Sequence, residues 1–130
     1  MRKYSLEIAE AIKNHIKESD LHMVSFDEAM GSFSFNIRLS CQLSTNIIIR
    51  TGEDSFTTLA VCPVRPDASD AELMAKMAEF VCRANFGLKS GCFEFDFTDG
   101  ELRYKCYIPC DDHTPSQDLI RESITIPAGK

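Results

Sequence analysis

A predicted β-hairpin over residues 92–108 constrains the fold of this chain more than any other stretch. Two alternating runs, CFEFDF and LRYKCYI, flank Asp99-Gly100, a pair that favours a two-residue type I′ turn because both central positions need positive φ. Closing the chain there collects apolar side chains on one face, in the pairs Phe97–Leu102, Phe95–Tyr104 and Phe93–Cys106. The other face pairs acids with bases, Asp96 with Arg103 and Glu94 with Lys105. A one-residue slip would destroy both faces, so the sequence predicts an antiparallel hairpin in this register.

The remaining periodicity predicts an α+β domain of nine elements in the order α–β–β–β–β–α–β–β–α. Apolar residues recur with helical spacing in some segments and alternate with polar residues in others. The predicted elements are helix 3–18, strands 22–27, 33–43, 46–50 and 56–64, helix 69–86, the two hairpin strands, and helix 117–124, which Pro127 and Gly129 end. A turn is expected at 28–31, and His15 is expected to be a boundary or capping residue of the first helix.

Length, charge and cysteine usage limit the class of protein. A chain of 130 residues fits one domain. The net charge of −6 argues against non-specific nucleic-acid binding, which needs clustered Lys and Arg. No apolar run is long enough to span a membrane, and residues 1–20 carry charges throughout and show no signal peptide, so we expect a cytoplasmic protein. The six cysteines lack CxxC spacing and are expected to be reduced and mostly in the core: Cys41, Cys62, Cys82, Cys92, Cys106 and Cys110.

The helix at 69–86 is the strongest candidate for an interaction surface. A capping box, with Ser69 as N-cap and Glu72 at N3, is expected to open it. Large apolar residues form one broad face: Leu73, Met74, Met77, Phe80, Val81 and Ala84. Small residues form a second face: Ala71, Ala75, Ala78 and Cys82. Because one sheet face cannot satisfy both, either a neighbouring helix or a second subunit should cover the small face, and the sequence leaves both alternatives open.

The sequence contains no recognisable catalytic motif. The best metal candidate is Cys106, Cys110 and His113, but the two sulfurs would lie too far apart along a continuous strand unless Pro109 bends it. Glu94 and Asp96 resemble a carboxylate pair, yet the hairpin register already gives each a cationic partner. We therefore expect no catalytic residues, no bound metal and no cofactor.

The same region carries a resemblance to a known family. The segments RANFGL at 83–88, GCFEFD at 91–96, DGELRYK at 99–105 and IRESITIP at 120–127 resemble the YbjN family of bacterial proteins, which are described as sensory-transduction regulators. The resemblance implies a curved antiparallel sheet flanked by helices, similar to type III secretion chaperones, in a small, acidic and commonly dimeric protein. The last helix looks shorter here than in that family. The resemblance carries over no functional residue.

These observations favour a non-enzymatic protein-binding module with a regulatory or chaperone-like role, expected to be a homodimer that holds a partner polypeptide. Strand addition at a sheet edge is one mode by which a partner chain could bind. Two alternatives stay open: a structural subunit of a larger complex, and a small thiol- or metal-dependent enzyme that uses Cys110 and His113.

Overall fold

The computed structural model describes residues 4–19, 24–38, 44–111 and 113–128. Within these ranges three helices and one six-stranded antiparallel sheet follow the predicted order, so the α+β class is confirmed. The elements are α1 (Leu6–Glu18), β1 (Ser25–Asp27), β2 (Ser32–Arg38), β3 (Ser44–Thr51), β4 (Ser55–Val61), α2 (Ala71–Asn85), β5 (Cys92–Phe95), β6 (Leu102–Pro109) and α3 (Gln117–Ala128). The predicted strand residues 22–23 and 39–43, with Cys41, lie outside the described residues.

The strands lie side by side in the order β1-β2-β3-β4-β6-β5, so β6 separates β4 from β5. Alternate side chains point to opposite faces of such a sheet. The odd-numbered apolar residues predicted for the second strand, Phe33 and Phe35, are buried on one face, together with Ile47 and Ile49 of β3. The run of three isoleucines in β3 is apolar on both faces, which is typical of a central strand, and β3 does lie between β2 and β4.

Helices α1 and α3 pack on this buried face and close the core. Ile12 of α1 and Ile120 of α3 are fully buried with the inward residues of β2, β3 and β4. A buried hydrogen bond joins the layers, because the Thr58 hydroxyl on β4 donates to Ser123 Oγ on α3 at 3.0 Å. His15 lies at the boundary of this layer, as expected, with its ring nitrogens 3.1 Å from Gln117 Oε1 and 3.2 Å from Ser19 Oγ.

The predicted hairpin register is wrong by two residues. The structure pairs Phe95 with Leu102, Phe93 with Tyr104, Glu94 with Arg103 and Cys92 with Lys105. A two-residue shift keeps each side chain on its predicted face, but it leaves Asp96 to Glu101 as a longer loop and Phe97 63% exposed.

The cause of the shift lies in the loop carboxylates. Asp96 Oδ1 accepts the Thr98 N–H at 2.8 Å, and Asp99 Oδ1 accepts the Glu101 N–H at 2.9 Å. These bonds satisfy backbone N–H groups in a loop that is longer than a two-residue type I′ turn. Positive φ occurs at Gly100 (79°) and not at Asp99. A side chain at Gly100 would also collide with the Pro66 carbonyl oxygen, at 2.6 Å from the position of a Cβ atom.

Three helix ends also differ from their predicted positions. Helix α1, predicted over 3–18, begins at Leu6 after the N-cap Ser5. Asp70, not Ser69, is the N-cap of α2, and its carboxylate accepts the Leu73 N–H at 3.1 Å. Ser69 donates to Asp67 instead. Helix α3 continues past Ile124 through Pro127 to Ala128. A proline in the last turn removes one hydrogen bond only, and Pro127 is buried, which offsets that loss.

Candidate protein-interaction surfaces

Helix α2 lies beside the edge strand β5 and has no other major neighbour among the described elements. The Phe80 and Phe93 rings meet edge to face, with centroids 5.9 Å apart. The Asn85 side chain forms two hydrogen bonds to the backbone of Phe93: Oδ1 accepts its N–H at 2.7 Å, and Nδ2 donates to its carbonyl at 3.0 Å. Met74 is the one buried residue of the helix. The attachment of α2 to the sheet is therefore narrow.

The small face of α2 is not covered by a helix of the described chain. Ala71, Ala75 and Cys82 are exposed, and Ala78 is half-buried. The alternative of an intramolecular helix over this face therefore finds no support within the described residues. The face is open to solvent in the single chain.

The broad apolar face of α2 is less buried than the sequence predicts. Met74 is buried, whereas Leu73 is 39% and Phe80 49% exposed. The less exposed residues of the helix follow one line between its two apolar faces, formed by the buried Met74 and the half-buried Met77, Ala78, Val81, Ala84 and Asn85. Both flanks of that line consequently remain accessible.

The solvent side of α2 carries two consecutive ion pairs. Lys76 Nζ lies 3.5 Å from Glu72, and Arg83 lies 2.9 Å from Glu79. Each pair is spaced by four residues on an exposed surface, so it contributes about 0.3–0.5 kcal/mol. The order of charges along the helix is thus acid, base, acid, base.

The opposite face of the sheet forms a second candidate surface, which the sequence analysis missed. We call it the helix-free face, because α1 and α3 pack on the other side and Phe80 of α2 also contacts that other side. Its residues come from all six strands and are Ser25, Asp27, Ser32, Ser34, Asn36, Arg38, Ser44, Asn46, Ile48, Arg50, Ser55, Thr57, Leu59, Val61, Cys92, Glu94, Arg103, Lys105 and Tyr107.

Glu94 is held between two cations on the helix-free face. Its carboxylate lies 2.8 Å from Arg103 Nε and 2.9 Å from Lys105 Nζ. Partial burial alone would raise the pKa of Glu94, but the hydrogen bonds from Lys105 and Arg103 outweigh it, so the pKa is lowered. The same contact raises the pKa of Lys105. The predicted pairing of Glu94 with Lys105 is thus present as an ion pair across a shifted register, and Asp96 is not paired with Arg103 as predicted.

An apolar pocket of about 130 Å³ opens on the helix-covered side, between the end of β4, the hairpin and the last turn of α3. Its lining is almost entirely apolar and includes Ala60, Phe93, Leu102 and Pro127. Its size suits one aliphatic side chain and not a cofactor.

The two buried thiol groups, those of Cys106 and Cys110, are poorly suited to nucleophilic chemistry. Burial raises the pKa of the Cys106 thiol, and burial together with Asp111 and Asp54 raises that of Cys110, so both thiolates are disfavoured. Among the described residues there is no group of three or more His, Cys, Asp or Glu that could hold a metal ion. The candidate set of Cys106, Cys110 and His113 is therefore not assembled there, although the His113 N–H does donate to the Cys110 carbonyl at 2.8 Å.

Comparisons with known proteins add no assignment. The sequence matches no family model, and a search of curated proteins finds no match. Within the described residues, no helix has the length and apolar character needed to cross a membrane.

Proposed function

We propose that this chain is a non-enzymatic protein-binding module, with a regulatory or chaperone-like role, that forms a homodimer through α2. The observation that carries the proposal is that α2 is apolar over most of its circumference while Met74 is its one buried residue. Leaving that much apolar helix surface in water is unfavourable at about 25 cal/mol per Å². The expected similarity to type III secretion chaperones, including a curved sheet, belongs to the same proposal.

The spacing of the small residues suits two antiparallel copies of α2. Ala71, Ala75, Ala78 and Cys82 are separated by four, three and four residues, an interval pattern that is identical in both directions. Around a two-fold axis at the middle of this set, Ala75 lies level with Ala78 of a second copy, and Ala71 with Cys82. Small side chains allow helix axes to approach to about 8 Å. A two-fold axis is also the commonest symmetry of protein dimers.

The charged stripe favours the same arrangement. Glu72, Lys76, Glu79 and Arg83 follow the same four, three, four spacing, one position further along the helix. In an antiparallel pair Glu72 faces Arg83 of the second copy, and Lys76 faces Glu79. The centre of this pattern differs from that of the small face by one residue, so around the same two-fold axis the facing charges are offset by two residues, or about 3 Å along the helix, which long side chains span. A parallel pair would place like charges together, so the charge pattern selects the antiparallel one.

A pair of charge-swapped variants tests this dimer. Glu72→Lys with Glu79→Lys makes the stripe wholly basic, and Lys76→Glu with Arg83→Glu makes it wholly acidic. We expect wild type to be a dimer by light scattering, each variant alone to be a monomer with wild-type circular dichroism, and an equimolar mixture of the two variants to form a heterodimer.

The exposed ion pair of Asp118 and Arg121 on α3 provides the control. Asp118→Lys should remain a dimer, because the change lies away from α2. A monomeric wild type, or variants that still dimerise alone, would overturn the proposed dimer. Recovery of one polypeptide at fixed stoichiometry in an affinity pull-down would support the partner-holding role, and recovery of none would contradict it.

A further inference from the structure

We propose that the helix-free face binds an extended, acidic polypeptide segment. This inference rests on the proposed function and names the chemistry of the partner. It starts from a contrast in charge: the whole chain has 20 acidic and 14 basic residues. The helix-free face reverses that balance, because it carries four cations, Arg38, Arg50, Arg103 and Lys105, against the carboxylates of Asp27 and Glu94.

Both of those carboxylates are already engaged by the chain itself. Asp27 Oδ1 accepts the backbone N–H groups of Ala29 at 3.0 Å and Met30 at 3.3 Å. Glu94 binds Arg103 and Lys105 together. Among the described residues, no carboxylate lies within ion-pair distance of Arg38 or Arg50, and both side chains are exposed. These two arginines therefore have the capacity to bind a partner's carboxylates.

The spacing of the cations suits an extended chain. Arg38 on β2 pairs with Ser44 of β3, so it lies six residues along the strands from Arg50. Six residues of strand span about 20 Å. An extended peptide presents a side chain on one face about every 7 Å, so its residues i and i+6 are also about 20 Å apart. Carboxylates at those two positions would therefore meet both exposed arginines.

The remainder of the face offers contacts that a peptide can use. Ile48 and Val61 are half-buried aliphatic residues between the cations, the neighbouring Leu59 is fully buried, and Tyr107 is 59% exposed beside them. Asn46 donates to Ser34 and Asn36 at 3.3 Å each, so amide and hydroxyl groups that can bind a peptide backbone line the β2–β3 side. Apolar side chains with flanking cations favour an acidic peptide that also carries aliphatic residues.

A nucleic acid fits this face less well. Four cations would neutralise few phosphates, whereas the net charge of −6 would repel the remainder of a polyanion. Strand addition at the β5 edge is also hindered, because Asn85 occupies the outward N–H and carbonyl of Phe93. A short acidic segment lying across the face avoids both obstacles.

Titration with designed peptides tests the inference. The probe is the fluorescein-labelled peptide Glu-Ser-Val-Ser-Leu-Ser-Glu-Ser-Val-Ser-Leu-Ser-Glu, which places its Glu and aliphatic side chains on one face when extended, and its matched control replaces every Glu by Lys. We expect the Glu peptide to bind, the Lys peptide not to bind, and binding to weaken as salt is raised. The double variant Arg38→Gln with Arg50→Gln should lose about tenfold in affinity, or about 1.4 kcal/mol.

A control variant that also loses two cations distinguishes a local binding site from a general effect of net charge. Lys17→Gln with Arg121→Gln removes two exposed cations from the helices, and it should change affinity by less than about twofold. Equal losses in the two double variants, absence of binding by the Glu peptide, or tighter binding of a DNA duplex would each overturn the inference. If a dimeric wild type captured a basic partner at fixed stoichiometry, the inference of an acidic partner would be overturned and the proposed function would stand. If wild type were a monomer, only the proposed dimer would be overturned.

Discussion

At the scale of single residues, Glu94 links the pH dependence of stability to the hairpin. Its pKa is lower in the folded chain than its ordinary value, through the hydrogen bonds from Lys105 and Arg103 that outweigh partial burial. A carboxyl group of this kind stabilises the fold above its unfolded pKa, and that contribution is lost as pH falls through the folded pKa. Glu94→Gln should therefore lower the free energy of unfolding at pH 7 by about 0.2–1 kcal/mol per ion pair, and the difference from wild type should shrink in acid as the pH falls through the lowered folded pKa of Glu94.

Urea unfolding at neutral and acidic pH measures that difference. The control is Glu122→Gln, an exposed carboxyl group on α3 with no cation at ion-pair distance among the described residues. Its effect on the free energy of unfolding should be close to zero at either pH. A deficit in Glu94→Gln that persisted unchanged in acid would mean that the glutamine disturbs packing and that the ion pairs contribute little.

At the scale of elements, the attachment of α2 to β5 depends on Asn85. Asn85→Ala removes both hydrogen bonds to the Phe93 backbone and opens the edge of the sheet. We expect faster hydrogen exchange at the Phe93 amide, a loss of about 1–2 kcal/mol in the free energy of unfolding, and a greater tendency to aggregate through the exposed edge. Asn14→Ala, at an exposed asparagine on α1, is the matched control and should leave Phe93 exchange unchanged. Unaltered exchange in Asn85→Ala would show that the edge is protected by other contacts.

The elements themselves were largely predictable from local patterns, and their junctions were not. Side chains of a strand alternate between the two faces of the sheet. Once one face is buried, the alternation of apolar and polar residues therefore determines which residues of β2 face the core. The hairpin register was missed because the side chains of Asp96 and Asp99 satisfy backbone groups of the loop, an effect that cross-strand pairing does not reveal. The end of α3 was missed because burial of Pro127 offsets the backbone preference against it.

Of the two candidate surfaces, the sequence reveals the one on α2 and does not reveal the helix-free face. Helical spacing reveals both apolar faces of α2, since all of their residues lie on one element. The helix-free face gathers Arg50 from β3 and Lys105 from β6, and the role of Asn85 depends on how α2 meets β5. No local pattern in the chain joins these positions, so only the sheet order brings them together.

At the scale of the whole molecule, the two proposed surfaces can act at the same time. Phe80 of α2 contacts the side of the sheet that α1 and α3 cover, whereas the four cations point to the opposite side. A dimer formed through α2 would therefore leave the helix-free face of each copy available. Two such faces on one dimer would bind two acidic segments of one partner more tightly than either would bind a single segment.

The proposed dimer also makes thermal stability depend on protein concentration. Unfolding that separates two chains is opposed by mass action, so raising the concentration about a hundredfold stabilises the dimer by about 2.7 kcal/mol. For two chains of this length, that corresponds to a rise of about 5 °C in Tm. Wild type should show this rise between about 1 and about 100 µM, whereas the Glu72→Lys, Glu79→Lys variant should have a constant and lower Tm. Scanning calorimetry over that range measures both, and a wild-type Tm that does not move with concentration would mean that the apolar flanks of α2 remain in solvent or meet something other than a second copy.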